Sequence, residues 1–311
     1  MENINANTGW LFYKNYYLET ETGSKIDFLQ DKTNKRNEEL FIARNRELLK
    51  QTIVKDDALA DIKDHLSLQN FQLETIYPGL LLGSGYNHGT GKQGELKLGF
   101  FFDHTSGMPC IPGSSVKGLL RSMFPGMDYE RYVKATLKGD KNVDIYKDHY
   151  EEKLAFIEAL LGSLKIDLKG LDNILKMEWE VFAGISNYRI KKEDDQVKKS
   201  GEMIPMSSRD VFIDAPVVGP VGKPFLGDDY ITPHKNEFKN PIPIYFLKVL
   251  PKTVFEFRFD LKEKYTLKGE NKTRILTAKQ RRDLFKEILL IKGAGAKTNV
   301  GYGQFVEKEN N

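Results

Sequence analysis

The run Ile111-Pro112-Gly113-Ser114-Ser115-Val116-Lys117-Gly118-Leu119-Leu120-Arg121 changes character midway. An apolar stretch stops at Pro112 and Gly113, two serines follow, and Val116, Leu119, Leu120 and Met123 recur three or four residues apart. The pattern predicts a strand end, a tight turn and an amphipathic helix with Ser114 as its N-cap. The open N–H groups of a first helical turn attract anions. Lys117 and Arg121 stand four apart, on one helix face. Ser114, Ser115, Lys117 and Arg121 are therefore candidate phosphate ligands.

Upstream, Phe71 to Leu82 and Glu95 to Phe102 read as strands around a glycine-rich run, Gly83 to Gly91. Further back, Lys35 to Leu68 carries helical spacing and is expected to form two helices broken near Asp56-Asp57. The aromatic segment Gly9 to Leu18 suits a strand or an extended arm. Downstream, Tyr129 to Leu161 reads as helix, and the charged segment Ser186 to Ser207 as a mobile loop or long hairpin. Strands are expected at Asp210 to Ala215 and within Ile242 to Leu261. A last helix begins at Thr277, capped through Gln280, and ends at Gly293; Tyr302 to Val306 closes the chain as a strand. This order lacks a regular parallel rhythm. It favours an α+β fold of antiparallel sheets covered by helices on one face. The expected division is an arm and helical extension over residues 1–68 and a main domain over 69–311, with residues 186–207 inserted.

A second glycine-rich bend, Gly293-Ala294-Gly295-Ala296-Lys297-Thr298-Asn299-Val300-Gly301-Tyr302-Gly303, permits close backbone approach to a ligand. It is no Walker A loop, because Ala296 precedes Lys297, and no dinucleotide fingerprint, because Thr298 replaces the third glycine and a helix precedes it. Gly293, Gly295, Lys297, Thr298, Asn299, Gly301 and Tyr302 remain as tools for sugar-phosphate contact and base stacking. The two bends are expected to grip one ribose-phosphate track.

The chain has 311 residues, 40% hydrophobic and 29% charged, enough for a full core. One cysteine, Cys110, leaves no internal disulfide or CxxC metal site. Five histidines show no metal-ligand spacing, so no cofactor is expected. Asp103-His104, Asp214, Asp228-Asp229 and His234 could converge as acid and base; no GxSxG supports serine hydrolysis. No apolar run reaches membrane length and no leader pattern opens the chain, so a cytoplasmic protein without a membrane partner is expected. Residues 262–297 hold eleven Lys/Arg against four acids on a chain of net charge +3. That local surplus suggests a directed polyanion contact.

Four ordered segments carry a family resemblance. They are Gly79 to Gly85, Met108 to Arg121, Val211-Phe212-Ile213-Asp214-Ala215-Pro216, and Gly293 to Phe305. Together they resemble the RAMP superfamily of CRISPR RNA-binding proteins. The segments Asp229 to His234 and Asn240 to Val249 are similar to the sixth-subunit family of the Cmr module, the type III-B effector. The resemblance implies a ferredoxin-like (RRM-like) core. It implies a non-catalytic guide-RNA-binding subunit that caps the backbone filament near the 3′ end of the crRNA. The implied partners are crRNA, target RNA and other Cmr subunits. In the target-cutting sibling an aspartate precedes the Ile-Pro-Gly-Ser-Ser motif; counted back without gaps, that position falls near Leu98, with Glu95 the nearest preceding carboxylate. The inserted segment 186–207 is a candidate for a hairpin pushed between guide bases. The alternative is a metal-independent RNA endonuclease that processes CRISPR repeat RNA, with His88 or His104 as general base.

Overall fold

The structure, a computed structural model, describes residues 7–18, 35–53, 68–87, 94–193, 196–231 and 243–308. The expected second helix after Asp56-Asp57, His65, His88, Gly89 to Gly91 and the Thr232-Pro233-His234 segment lie outside the described residues.

The main sheet is built from β1 (Gln69–Thr75), β4 (Cys110–Ile111), β7 (Val211–Ile213), β8 (Ala215–Gly219), β11 (Val254–Asp260) and β14 (Phe305–Glu307). Its order is β14-β1-β11-β8-β4, with β7 also on β11, and every pairing is antiparallel. Two helices belong to this core: α3 (Gly113–Ser122) enters between β1 and β8, and α7 (Ala278–Lys292) between β11 and β14. With β1, β8, β11 and β14 as its four principal strands, the connectivity is βαββαβ and the order 4-1-3-2, the ferredoxin-like arrangement.

Residue alternation explains the layering. On β1, Phe71, Leu73 and Thr75 are shielded while Asn70 is exposed. On β11, Phe255, Phe257 and Phe259 share one face, and Phe259 meets Phe285 of α7 at 5.3 Å between ring centroids. The opposite face of β11 carries Glu256 and Arg258, an ion pair at 2.6 Å joined by Gln72. Helices thus cover the aromatic face, as the sequence pattern required. Helix α7 starts with the expected capping box of Thr277 and Gln280 and ends at Gly293, whose φ of +68° suits glycine.

Several elements differ from expectation. The aromatic segment is helical, α1 (Thr8–Tyr13) followed by a 3₁₀ turn, Asn15–Tyr17. Asn7 caps it, and Leu11, Phe12 and Tyr16 bury themselves in the same cluster as the sheet. Tertiary packing overrides aromatic β-propensity here. Helix α2 (Lys35–Leu49) lies beside it, with Phe41 stacked on Tyr16 at 5.2 Å. The strand expected up to Leu82 stops at Thr75. Short β2 (Gly83–Asn87) and β3 (Leu98–Phe100) then pair separately. The helix expected over Tyr129 to Leu161 is two, α4 (Gly126–Lys138) and α5 (Val143–Ser163), because Gly139 adopts a left-handed C-cap. Next come α6 (Leu171–Glu178) and a π-helical turn, Trp179–Ala183.

The charged insertion forms an antiparallel hairpin, β5 (Ile185–Glu193) and β6 (Gln196–Met203), whose register shifts between Ser186 and Arg189. A second ribbon pairs β9 (Leu226–Ile231) with β10 (Ile244–Val249). A third, β12 (Lys264–Leu267) with β13 (Glu270–Thr273), precedes α7.

Candidate nucleic-acid interface

The glycine bend is stapled to the segment just past β1. Gly303 donates to the Gly79 carbonyl at 2.8 Å, Ala294 to the Gly303 carbonyl at 2.8 Å, and Ala296 to the Leu81 carbonyl at 3.0 Å. At Gly303 (φ +73°) any Cβ would collide with the Ala294 carbonyl, so the closure needs glycine. The bend displays Lys297, held at φ +60°, at the head of a 3₁₀ turn, Thr298–Val300, with Asn299 and Val300 exposed.

The β9–β10 ribbon forms the floor. Lys297 Nζ lies 5.9 Å from the Phe246 ring centroid. The Tyr302 hydroxyl donates to Asp229 Oδ2 at 2.7 Å, and Lys248 Nζ donates to the same oxygen at 2.7 Å. Lys248 also lies 6.0 Å from the Tyr302 ring centroid. Asp229 and Phe246 face each other in the ribbon register. Burial alone would raise the Asp229 carboxyl. The hydrogen bonds from Lys248, Tyr302 and its neighbouring N–H outweigh burial and hold it below its ordinary range. The Tyr302 phenol is pushed far up by burial and by the adjacent Asp229 charge. The site therefore offers the Lys297 cation and a ring fixed at its hydroxyl end, while Lys248 is committed to Asp229. Sequence reasoning found Tyr302 and Lys297 as contact residues, but it named Asp229 only as an acid-base candidate and gave Phe246 and Lys248 no role of their own. The available signal was the strand alternation flanking residues 232–242.

The helix bend is built differently. Helix α3 begins at Gly113, after Pro112, so Ser114 is not the N-cap. Gly113 packs under the Phe212 carbonyl, and its N–H donates to Asp214 Oδ1 at 2.7 Å. A carboxylate from the β7–β8 junction thus serves the first orphan donor. Ser114 and Ser115 are exposed in the first turn, with the Ser115 N–H turned back to Pro112. Lys117 Nζ lies 5.5 Å from the Phe212 ring centroid. Arg121 lies 5.2 Å from the Trp179 ring centroid and 4.0 Å from Glu178.

The two bends stand near opposite ends of β1. Phe212, beneath Lys117, pairs with Phe259, which pairs with Gln69 at the start of β1. The glycine bend meets the chain beyond Thr75, at the other end of that strand. The separation along β1 is roughly 20 Å at about 3.3 Å per residue. The α3 start lies beside Asp214 and Phe212, at the β7–β8 junction.

The basic stretch does not form one patch. Among the described residues, eight of its eleven cations find ion-pair partners. Arg281 is buried against Asp210, and Arg274 is buried beside Glu180. Lys297 is the member of the stretch that the glycine bend presents.

The acid-base candidates scatter. The Asp103 carboxylate accepts from Ser106, Asp214 caps α3, and His104 sits on an exposed turn. Among the described residues no three His, Cys, Asp or Glu side chains are grouped to hold a metal ion. Cys110 is buried, and burial, with Asp214 and Asp103 nearby, pushes its thiol up to about 12. Glu95 is fully buried under the aromatic arm and accepts from the Tyr17 hydroxyl at 2.9 Å.

A model of the RAMP superfamily matches residues 72–306. The chain is similar to the CRISPR system Cmr subunit Cmr6 of Pyrococcus furiosus, 29% identical over 224 residues. The match covers 65% of this chain and 58% of that relative, so it spans less than two thirds of the relative's length. Among solved structures, the crystal structure of Cmr6 from Pyrococcus furiosus matches with a TM-score of 0.42 and 19% identity, covering 78% of this chain and 98% of that one. A chain of the type III-B Cmr-beta complex bound to cognate target RNA, solved by cryo-EM, matches with a TM-score of 0.46 and 19% identity, covering 88% of this chain and 75% of that one. Among the described residues no helix is long and apolar enough to cross a membrane.

Proposed function

The chain belongs to the RAMP superfamily, and from that premise we propose that it is a non-catalytic guide-RNA-binding subunit of a type III-B CRISPR effector complex. In this reading it caps the filament of backbone subunits near the 3′ end of the crRNA. Its partners are crRNA, target RNA and other Cmr subunits. The observation that carries the reading is the glycine bend, a closed backbone loop that holds Lys297 and Tyr302 over the β9–β10 ribbon. Such a site reads phosphate and ring faces without reading sequence. That suits a subunit that serves any guide and leaves sequence to base pairing.

The proposed roles follow the geometry. Lys297 contacts a phosphate, with donors from Thr298, Asn299 and the backbone of Gly293, Gly295 and Gly301. Tyr302 presents its ring to a base. Ser114, Ser115, Lys117 and Arg121 form a separate contact on α3. Target cleavage is disfavoured by the burial of Glu95 under Tyr17.

Affinity purification of the tagged chain from its native host, followed by sequencing of bound RNA, tests the reading. Short RNAs sharing a repeat-derived 5′ tag, recovered with several partner proteins, are expected. Recovery of the chain free of RNA and partners would overturn it.

A further inference from the structure

The root of the β5–β6 hairpin gathers groups that the fold leaves unsatisfied. Trp179, in the π-helical turn after α6, stacks on Tyr188 of β5 at 4.1 Å and an interplanar angle of 12°. Arg121 of α3 and Lys199 of β6 approach the same indole, at 5.2 and 5.6 Å from its centroid. Among the described residues, three buried polar atoms here have no hydrogen-bond partner: Arg121 Nε, Trp179 Nε1 and Glu178 Oε1. Arg121 Nε and Glu178 Oε1 are 4.0 Å apart, beyond hydrogen-bond reach, although Glu178 is only 1% exposed. Buried polar groups are normally paired, so such a cluster points to a missing partner.

Charge gives that partner its sign. Lys117, Arg121 and Arg209 crowd together. Burial lowers the Lys117 pKa, repulsion from Arg121 and Arg209 lowers it further, and Asp210 opposes them without reversing the shift. Across the indole, Glu130 serves Lys199 at 2.6 Å and the Tyr188 hydroxyl at 2.9 Å. Arg121 and Lys199 still expose 31% and 41% of their side chains. Residues Ser114, Lys117, Gly118 and Arg121, spaced three, four and seven apart, form one polar stripe on α3 that leads to Trp179. A Cβ at Gly118 would meet nothing within 4 Å, so this stripe is open to an approaching backbone.

We propose that Arg121, Trp179 and Lys199 form a second subsite for single-stranded RNA, which seats a phosphate and the sugar-base face beside it at the root of the hairpin. This rests on the RNA-binding reading and extends it: the chain holds RNA at two points, the glycine bend and the hairpin root, near opposite ends of β1. The π-helical turn sets Trp179, and Tyr188 backs the indole, so the ring is ordered before RNA arrives. The exposed ends of Arg121 and Lys199 supply donors to the phosphate, and the Trp179 ring supplies the apolar surface beside them.

The test uses the full chain and a short fluorescein-labelled oligouridylate, with affinity read by anisotropy across a salt series. Arg121→Gln and Lys199→Gln are each expected to weaken binding and to lower the salt slope by about one. Lys297→Gln is expected to do the same independently. Thermal melting of Lys199→Gln, a half-exposed position, checks that the fold is intact. A 4-thiouridine oligonucleotide is expected to cross-link to the peptide containing Trp179. Wild-type binding weakened by Lys297→Gln but unchanged in both other variants, with no cross-link at Trp179, overturns the hairpin-root subsite and leaves the RNA-binding reading standing. A wild-type chain that binds no oligouridylate overturns both.

Discussion

Tyr302, in the last bend of the chain, donates its hydroxyl to Asp229 Oδ2 across 2.7 Å, and Lys248 takes the same oxygen from the neighbouring strand. This pairing fixes the hydroxyl end of the Tyr302 ring. Tyr302→Phe keeps the ring and loses the hydrogen bond, so stability is expected to fall by about 1 kcal/mol while oligonucleotide affinity changes little. Tyr302→Ala is expected to weaken RNA by roughly 1 to 3 kcal/mol if the ring stacks on a base. Chemical denaturation and anisotropy titration separate the two effects.

Asp229 makes that pairing sensitive to acid. Its carboxyl is held below the ordinary range, so the native state binds fewer protons than the unfolded chain at low pH. The stability it contributes is present above the unfolded carboxyl pKa and is lost as pH falls through the folded value. Asp229→Asn is expected to lose stability at neutral pH and to flatten the profile below about pH 4, measured by urea midpoints across pH.

Glu178 titrates in the opposite direction. Burial pushes it up to about 7, against the Gly126 N–H, Arg121 and Lys153, which favour its charge, while Glu130 opposes it. The native chain therefore binds the extra proton between the unfolded value and about pH 7. Stability is expected to fall as pH rises through that window, by about 3 kcal/mol in all. Glu178→Gln is expected to remove this slope; an unchanged slope in the variant would refute the assignment.

Two glycines are expected to respond in opposite ways to alanine. Gly303→Ala forces a Cβ onto the Ala294 carbonyl at a positive φ and is expected to cost at least about 2 kcal/mol. Gly118→Ala adds a methyl in open space inside α3 and is expected to stabilise by about 0.5 to 1 kcal/mol. Denaturation midpoints decide both.

Arg281 and Asp210 are both buried, with Lys262 donating its N–H to Asp210 at 3.0 Å and accepting from Arg281 at 2.7 Å. Arg281→Ala leaves the Asp210 charge uncompensated and is expected to cost about 3 to 5 kcal/mol. Replacing both by apolar residues of similar size is expected to cost less, which a double-mutant cycle measures.

Local signals made much of this fold legible. The Thr277–Gln280 capping box, the Gly293 stop and the apolar spacing of Val116 and Leu120 each depend on neighbours a few residues away, and each appears where the pattern puts it. Competing local signals were less readable. Aromatic Gly9 to Leu18 became helix because Phe12 and Tyr16 found a core to fill. Ser114 lost the cap to Asp214, one hundred positions downstream, because only sheet pairing brings that carboxylate to Gly113.

The order of strands and helices, the two glycine- and serine-rich bends and the identity of Lys117, Arg121, Lys297 and Tyr302 were set by the chain alone, because hydrophobic period and turn chemistry are local properties. Which of those groups stand together was decided by tertiary structure. Folding paired Lys268, Arg274, Arg281 and Lys286 with distant carboxylates, placed the two bends at different ends of β1, and assembled Trp179, Arg121 and Lys199 from three separate elements. Side-chain proximity across a sheet depends on register and packing, which no short stretch of sequence contains.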